Sequence, residues 1–214
     1  MTTDTTHHSD TTDAEQSAEI EAQSARLEEE LAESDTLHGN DSTQSLEILM
    51  SLGLLWCRSA HYLAYEAADS YFDELVDRCI DTYGEEHEST ARALVLFGRN
   101  KLDYGHHSWA LEILVEALRF FTTRVGNVPI YVTELRELVT TLTDALTMIG
   151  EDEIIEFELG LDDDDELEVW PALLDKVTNA VDSALQAIPE ASRLPADEIL
   201  AEQYRVARQA LPID

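Results

Sequence analysis

Apolar residues recur at helical spacing along most of this chain. Leu46, Leu49, Met50, Gly53, Leu54 and Cys57 fall three or four apart, on one face of a helix that opens near Thr43. The same period predicts a second helix over about Ala60–Tyr83, carrying Ala64, Ala68, Phe72, Leu75 and Cys79 and stopped by Gly84. A third covers about Glu88–Tyr104 and ends at Gly105. A fourth covers His107–Val125 and ends at Gly126-Asn127. Pro129 opens a fifth, with Leu135, Leu138, Leu142, Ala145, Leu146 and Ile149 inward and Gly150 as its stop. Two more helices are predicted over Pro171–Ile188 and Pro195–Leu211, separated by a Pro189–Pro195 turn. Strand-like runs are short and no strand–helix–strand alternation is visible, so the expected class is all-α.

The flanks are less regular. Met1 to about Ser17 is rich in Thr, Asp, Ser and His, a composition that predicts a disordered tail. Ala14–Ser34 turns to Ala, Glu and Gln with a thin line of Ile20, Leu27 and Leu31, a marginal helix that needs something packed on it. His38-Gly39-Asn40-Asp41-Ser42 breaks the chain. Glu153–Leu159 fits a short helix or an extended segment, and Leu161–Glu166 an acidic loop. Three regions are therefore expected: an acidic N-terminal tail over 1–42, a helical array over 43–150, and an acidic loop with capping helices over 151–214.

The array shows self-similarity at an offset of 45 residues. Leu49, Leu94 and Val139 align, as do Leu52, Phe97 and Leu142, then Gly53, Gly98 and Thr143, then Ala60, Gly105 and Gly150. A glycine inside a helix costs about 1 kcal/mol relative to alanine. Gly53 and Gly98 therefore require a packing reason, and close approach of the following helix supplies one. Leu94, Phe97, Gly98, Gly105, Ala110, Leu114 and Ala117 have a spacing that resembles the tetratricopeptide repeat signature. The run Asp81–Ala91 resembles the linker between repeats of the kinesin light chain type. The resemblance covers about Leu46–Gly150. It implies antiparallel helical hairpins stacked as a short array with additional C-terminal helices, and a groove for a partner peptide or helix. The preceding unit departs from the pattern: Ala68, Phe72 and Leu75 align at 42 rather than 45, which implies extra residues in its internal turn. The third unit lacks a convincing second helix, and Lys101 stands where the family has an aromatic residue.

Charge changes the picture more than composition does. The 46 acidic residues face 13 basic ones, a formal net charge of −33, and lysine occurs only at Lys101 and Lys176. Such a chain repels itself at low ionic strength, whereas at molar salt the screening length falls to about 3 Å. An acidic, lysine-poor surface over an ordinary apolar core resembles proteins of salt-in halophiles, particularly halophilic archaea. The same charge disfavours nucleic acid and anionic membranes as partners. No apolar run reaches the roughly 20 residues that span a bilayer. The N-terminus lacks the basic and apolar regions of a secretory signal, so the expected location is cytoplasmic.

Candidate chemistry is sparse. Cys57 and His61 stand at metal-binding spacing but lack a second pair, and a buried thiol beside a turn histidine explains them. His106-His107 fits a helix start, and His7-His8 lies in the tail. Asp162–Glu166 resembles a calcium loop in composition only, without the glycine and the spaced final glutamate. The common nucleotide, hydrolase and zinc-protease motifs are missing, so neither cofactor, metal nor catalytic residue is assigned.

Arg92 and Arg99, seven residues apart, share one helix face. The family resemblance places these positions on the concave groove, with Val95 between them, Leu102 beyond, and Arg58 at the end of the preceding first helix. Paired arginines beside apolar residues suit a peptide carboxylate or acidic side chain. Each could equally pair with a neighbouring Glu or Asp. The expected function is a non-enzymatic interaction scaffold whose partner is another protein. The alternatives are a self-associating assembly protein, hence a homo-oligomer, or an acidic regulator that mimics nucleic acid.

Overall fold

The computed structural model describes residues 9–59, 63–126, 128–150, 154 and 170–211. Every regular element among them is helical: α1 Ser9–His38, α2 Thr43–Trp56, α3 Ala64–Tyr83, α4 Glu88–Asp103, α5 His107–Arg124, α6 Pro129–Met148, α7 Trp170–Ala187 and α8 Pro195–Gln209. A single turn of 3-10 helix, Glu190–Ser192, joins the last two. The all-α class is thus observed. Two compact units divide the chain, Met1–Gly84 and Glu85–Asp214.

Helix boundaries follow from local chemistry. Ser42 caps α2, its side chain accepting the Ser45 amide at 3.1 Å. Pro129 and Pro195 sit in the first turn of α6 and α8, where a missing N–H costs nothing. Gly84 and Gly105 follow α3 and α4 with φ of 88° and 85°, a left-handed conformation that side chains other than glycine's resist.

In the first unit α2 packs on both α1 and α3. α1 begins at Ser9, within the stretch whose composition predicts a tail; extending an anchored helix is far less costly than nucleating one. Its anchorage is largely polar. Ile20 is buried, but so are Ser24 and Ser34, while Leu27 and Leu31 are half-exposed. Trp56 Nε1 donates to Ser24 Oγ at 3.0 Å, Ser24 Oγ donates to Glu28 Oε1 at 3.1 Å, and the Tyr71 hydroxyl reaches the same Glu28 oxygen at 2.6 Å. Burial, followed by the Glu28 carboxylate, pushes the Tyr71 phenol up to about 12. Farther along, Ser34 Oγ and Ser45 Oγ lie 2.9 Å apart in the interior. Arg78 of α3 clasps both Asp35 oxygens at 2.9 and 3.0 Å and the Asn40 carbonyl at 3.0 Å.

In the second unit α5 is central, packed against α4, α6 and α7. Leu111, Leu114, Leu118 and Phe121 of α5 are fully buried with Leu135, Leu138, Leu142 and Leu146 of α6 and Leu173 of α7. α6 touches α7 only lightly and instead lays its other side against α8.

The two interior glycines answer the question their sequence positions raise. A Cβ on Gly53 would lie 2.5 Å from the Phe72 ring, and one on Gly98 would lie 2.5 Å from Leu114 Cγ. In each unit the first helix of a packed pair yields space to one large side chain of the second. Phe72 and Leu114 are the residues that align at 42, while the glycines align at 45. The internal turn of the first pair absorbs the difference; its residues 60–62 lie outside the described set.

Candidate functional site

The residues assigned to a groove are placed as follows. Arg92 lies on α4, where its Nε donates to Glu88 Oε1 at 2.9 Å and its Nη1 to Glu134 Oε1 of α6 at 3.1 Å. The second Glu88 oxygen accepts the Tyr131 hydroxyl at 2.7 Å. That hydroxyl, then Arg92, holds the Glu88 carboxyl below its ordinary value. One helical turn pair later, Arg99 Nη2 approaches Glu137 Oε2 of α6 at 3.4 Å. Both arginine side chains remain almost half exposed, at 44% and 46%. Exposed pairs of this kind contribute about 0–1 kcal/mol each, so the two arginines are held loosely enough to exchange partners.

Val95 turns the other way. It is 7% exposed and belongs to the core with Ala91 and Leu111, so in this conformation it offers no surface. Leu102 is partly buried against the same core. Arg58 is exposed on the turn that follows α2, in the first unit, whereas the other four residues belong to the second. What α4 and α6 bring together is therefore Arg92 and Arg99 with Glu88, Glu134 and Glu137, a strip of alternating charge.

A stronger ionic contact lies elsewhere in the same unit. Arg136 of α6 meets Asp197 of α8 in a fork, Nε to Oδ1 at 2.7 Å and Nη2 to Oδ2 at 3.0 Å, and also reaches the Ser192 carbonyl at 2.6 Å. Asp197 in turn accepts the Leu194 amide at 2.8 Å, closing the N-terminus of α8. Arg136, first, and that amide hold the Asp197 carboxyl below its ordinary value. Nothing in the spacing of Arg136 marks it out. Its only signal is the one shared by Arg78: an arginine kept where basic residues are scarce.

Between α6 and α8 runs an open cleft of about 480 Å3, lined by Thr143, Leu146 and Ile149 on one side and Leu200, Val206 and Ala207 on the other. Thr143 stands where Gly53 and Gly98 stand in the earlier pairs. Its hydroxyl is turned back onto its own helix, donating to the Val139 carbonyl at 2.7 Å.

Among the described residues, no three His, Cys, Asp or Glu side chains converge in a way that could hold a metal. Cys57 and Cys79 are thiols and not joined in a disulfide, and burial pushes the Cys79 thiol up, away from the reactive thiolate form. His7-His8, His61 and the Asp162–Glu166 run lie outside the described residues, as does the Glu153–Leu159 segment apart from Ile154. Ile154 packs on the core, its amide bonded to the Gly150 carbonyl at 3.2 Å. No helix among the described residues is long and apolar enough to cross a membrane.

Fold and surface together define an all-helical protein made of packed helix pairs tied by arginine–carboxylate contacts. No family model matches the chain, and no curated protein matches it.

Proposed function

We propose that this protein is a non-enzymatic interaction scaffold of tetratricopeptide type, working in a salt-rich cytoplasm. The observation that carries the reading is the shared packing device of α2–α3 and α4–α5: Gly53 receives Phe72, and Gly98 receives Leu114. The repeat signature around Leu94–Ala117 implies a helical pair in close approach at a glycine of the first helix, there against a small alanine of the second; here the glycine is kept and the side chain that fills it is large. The binding surface in this reading is the strip of Arg92, Arg99, Glu134 and Glu137 on α4 and α6. A partner peptide or helix carrying its own carboxylates displaces Glu134 and Glu137 from the two guanidinium groups, exchanging exposed internal pairs for intermolecular ones. Leu102 supplies an apolar edge.

The test is affinity capture in molar KCl with the full chain and an Arg92→Glu/Arg99→Glu variant, after circular dichroism has established that both are equally helical. Partners bound through the strip are lost from the variant. Recovery of the same partners from both proteins rules the strip out as the binding surface.

A further inference from the structure

We propose that α1 is a strap whose docking on α2 and α3 is set by ionic strength: fastened in molar salt, and released as the salt is lowered, before the pair beneath it unfolds. The side of α1 turned to its neighbours is a seam of Ile20, Ser24, Leu27, Leu31 and Ser34, spaced four, three, four, three. Ser24 and Ser34 are buried in that seam, while Leu27 and Leu31 are only half-buried. Ser24 accepts the Trp56 indole at 3.0 Å, and Ser34 meets the Ser45 hydroxyl at 2.9 Å. Hydroxyls and indoles that trade such partners for water lose little, so this seam opens at lower cost than an apolar one. The pair beneath is built differently. Phe72 fills the space at Gly53, and Leu49, Leu52 and Leu75 are buried, so α2 and α3 keep each other when α1 departs.

Charge supplies the release. α1 holds ten acids and one arginine, a formal charge of −9, and it lies on two helices that together carry −6. The attraction that opposes this repulsion is the Arg78 fork on Asp35, at 2.9 and 3.0 Å, with 14% of the Arg78 side chain exposed. Glu29, Glu30 and Glu33 of α1, and Asp77 and Asp81 of α3, are by contrast exposed. Salt screens exposed charges well and sheltered pairs much less, so it removes more repulsion than attraction. The Debye length contracts from about 10 Å at tenth-molar to about 3 Å at molar salt, and over that range the ratio of docked to released α1 rises by about tenfold or more. Release uncovers Trp56 and Tyr71, the side chains that reach α1 from below.

Hydrogen exchange of the full chain from molar to tenth-molar KCl tests this, with Trp56 fluorescence as a second readout. Exchange over Ser24–His38 should quicken by about tenfold or more at salts where Phe72–Cys79 and Leu111–Phe121 keep their protection. Trp56 emission is taken as the difference between wild type and Trp56→Phe, so that Trp109 and Trp170 cancel. It should shift to the red over the same range, which separates undocking from fraying of a helix still in place. Glu29→Gln/Glu30→Gln/Glu33→Gln removes three exposed charges, and should keep both readouts at their molar-salt values to lower KCl. If α1 and α3 lose protection together at every salt, the first unit opens as one body and the proposal fails. It fails equally if α1 exchange ignores KCl, if Trp56 emission stays put while that exchange quickens, or if the neutralised variant is as salt-sensitive as the wild type.

Discussion

Replacing Gly98 by alanine separates two opposite expectations. On an uncrowded helix the change stabilises by about 1 kcal/mol, because alanine loses less backbone freedom. Here the new methyl would sit 2.5 Å from Leu114 Cγ and 2.6 Å from Cδ2. Leu114 is fully buried, so it has no free direction in which to retreat. Overpacking of a tight core costs about 1–3 kcal/mol, and against the propensity gain the net is a loss of about 0–2 kcal/mol. Leu114→Ala alone loses about 2–5 kcal/mol through the cavity it leaves. In the double variant the new methyl on residue 98 enters that cavity, so the two losses fall short of additivity by about 1 kcal/mol or more. Urea unfolding at a fixed molar KCl concentration, followed by far-ultraviolet circular dichroism, measures all four corners of the cycle; guanidinium is unsuitable because it is itself a salt. If Gly98→Ala raises the urea midpoint, or if the two effects simply add, the knob-and-glycine contact does not explain the residue.

The other predictions concern charge. Arg136→Ala should cost about 2 kcal/mol, below the 3–5 of a fully buried pair because the Arg136 side chain keeps partial contact with water; an unchanged urea midpoint contradicts this. The Asp35 and Asp197 carboxyls are held below their ordinary 3.8, so their contribution is complete above that pH and is lost as pH falls through the lower native values. Asp197→Asn should flatten that acid limb in a plot of urea midpoint against pH, and an unaltered slope below 3.8 would count against the assignment. Arg78→Ala should release α1 selectively, since Arg78 bonds Asp35 and the Asn40 carbonyl; hydrogen exchange should quicken over Ser24–His38 and not over α5. Melting temperature should climb steeply from tenth-molar to molar KCl, as the Debye length contracts from about 10 to 3 Å, and a flat curve would remove the case for salt adaptation.

The helical core was legible because it obeys period. Helices α2 to α6 carry their buried residues at regular spacing between glycine and proline stops, and Gly53 and Gly98 announced a close approach that Phe72 and Leu114 supply. α1 was less legible, since its hold on the neighbouring helices comes from Ser24, Glu28, Ser34 and Asp35. Those residue types are ordinary on solvated helices, and their partners, Trp56, Tyr71, Ser45 and Arg78, are distant in sequence. The continuation after α6 was equally hidden. The third unit lacks a convincing second helix in sequence, and in the structure α7 packs mainly on α5 while α6 lies mainly against α8. Thr143 is the visible trace of that change: where the earlier pairs admit a large side chain at glycine, the third position keeps a Cβ and borders an open cleft.

The arginines join these observations. Arg78, Arg92, Arg99, Arg124 and Arg136 each contact a carboxylate about 38 to 61 residues away in sequence. On a chain of −33, an arginine placed between helices removes repulsion from both at once, whereas one on an isolated face relieves only its own. Scarcity of cations thus selects for bridging positions, which is why the pair on α4 carries internal partners and still stays half exposed.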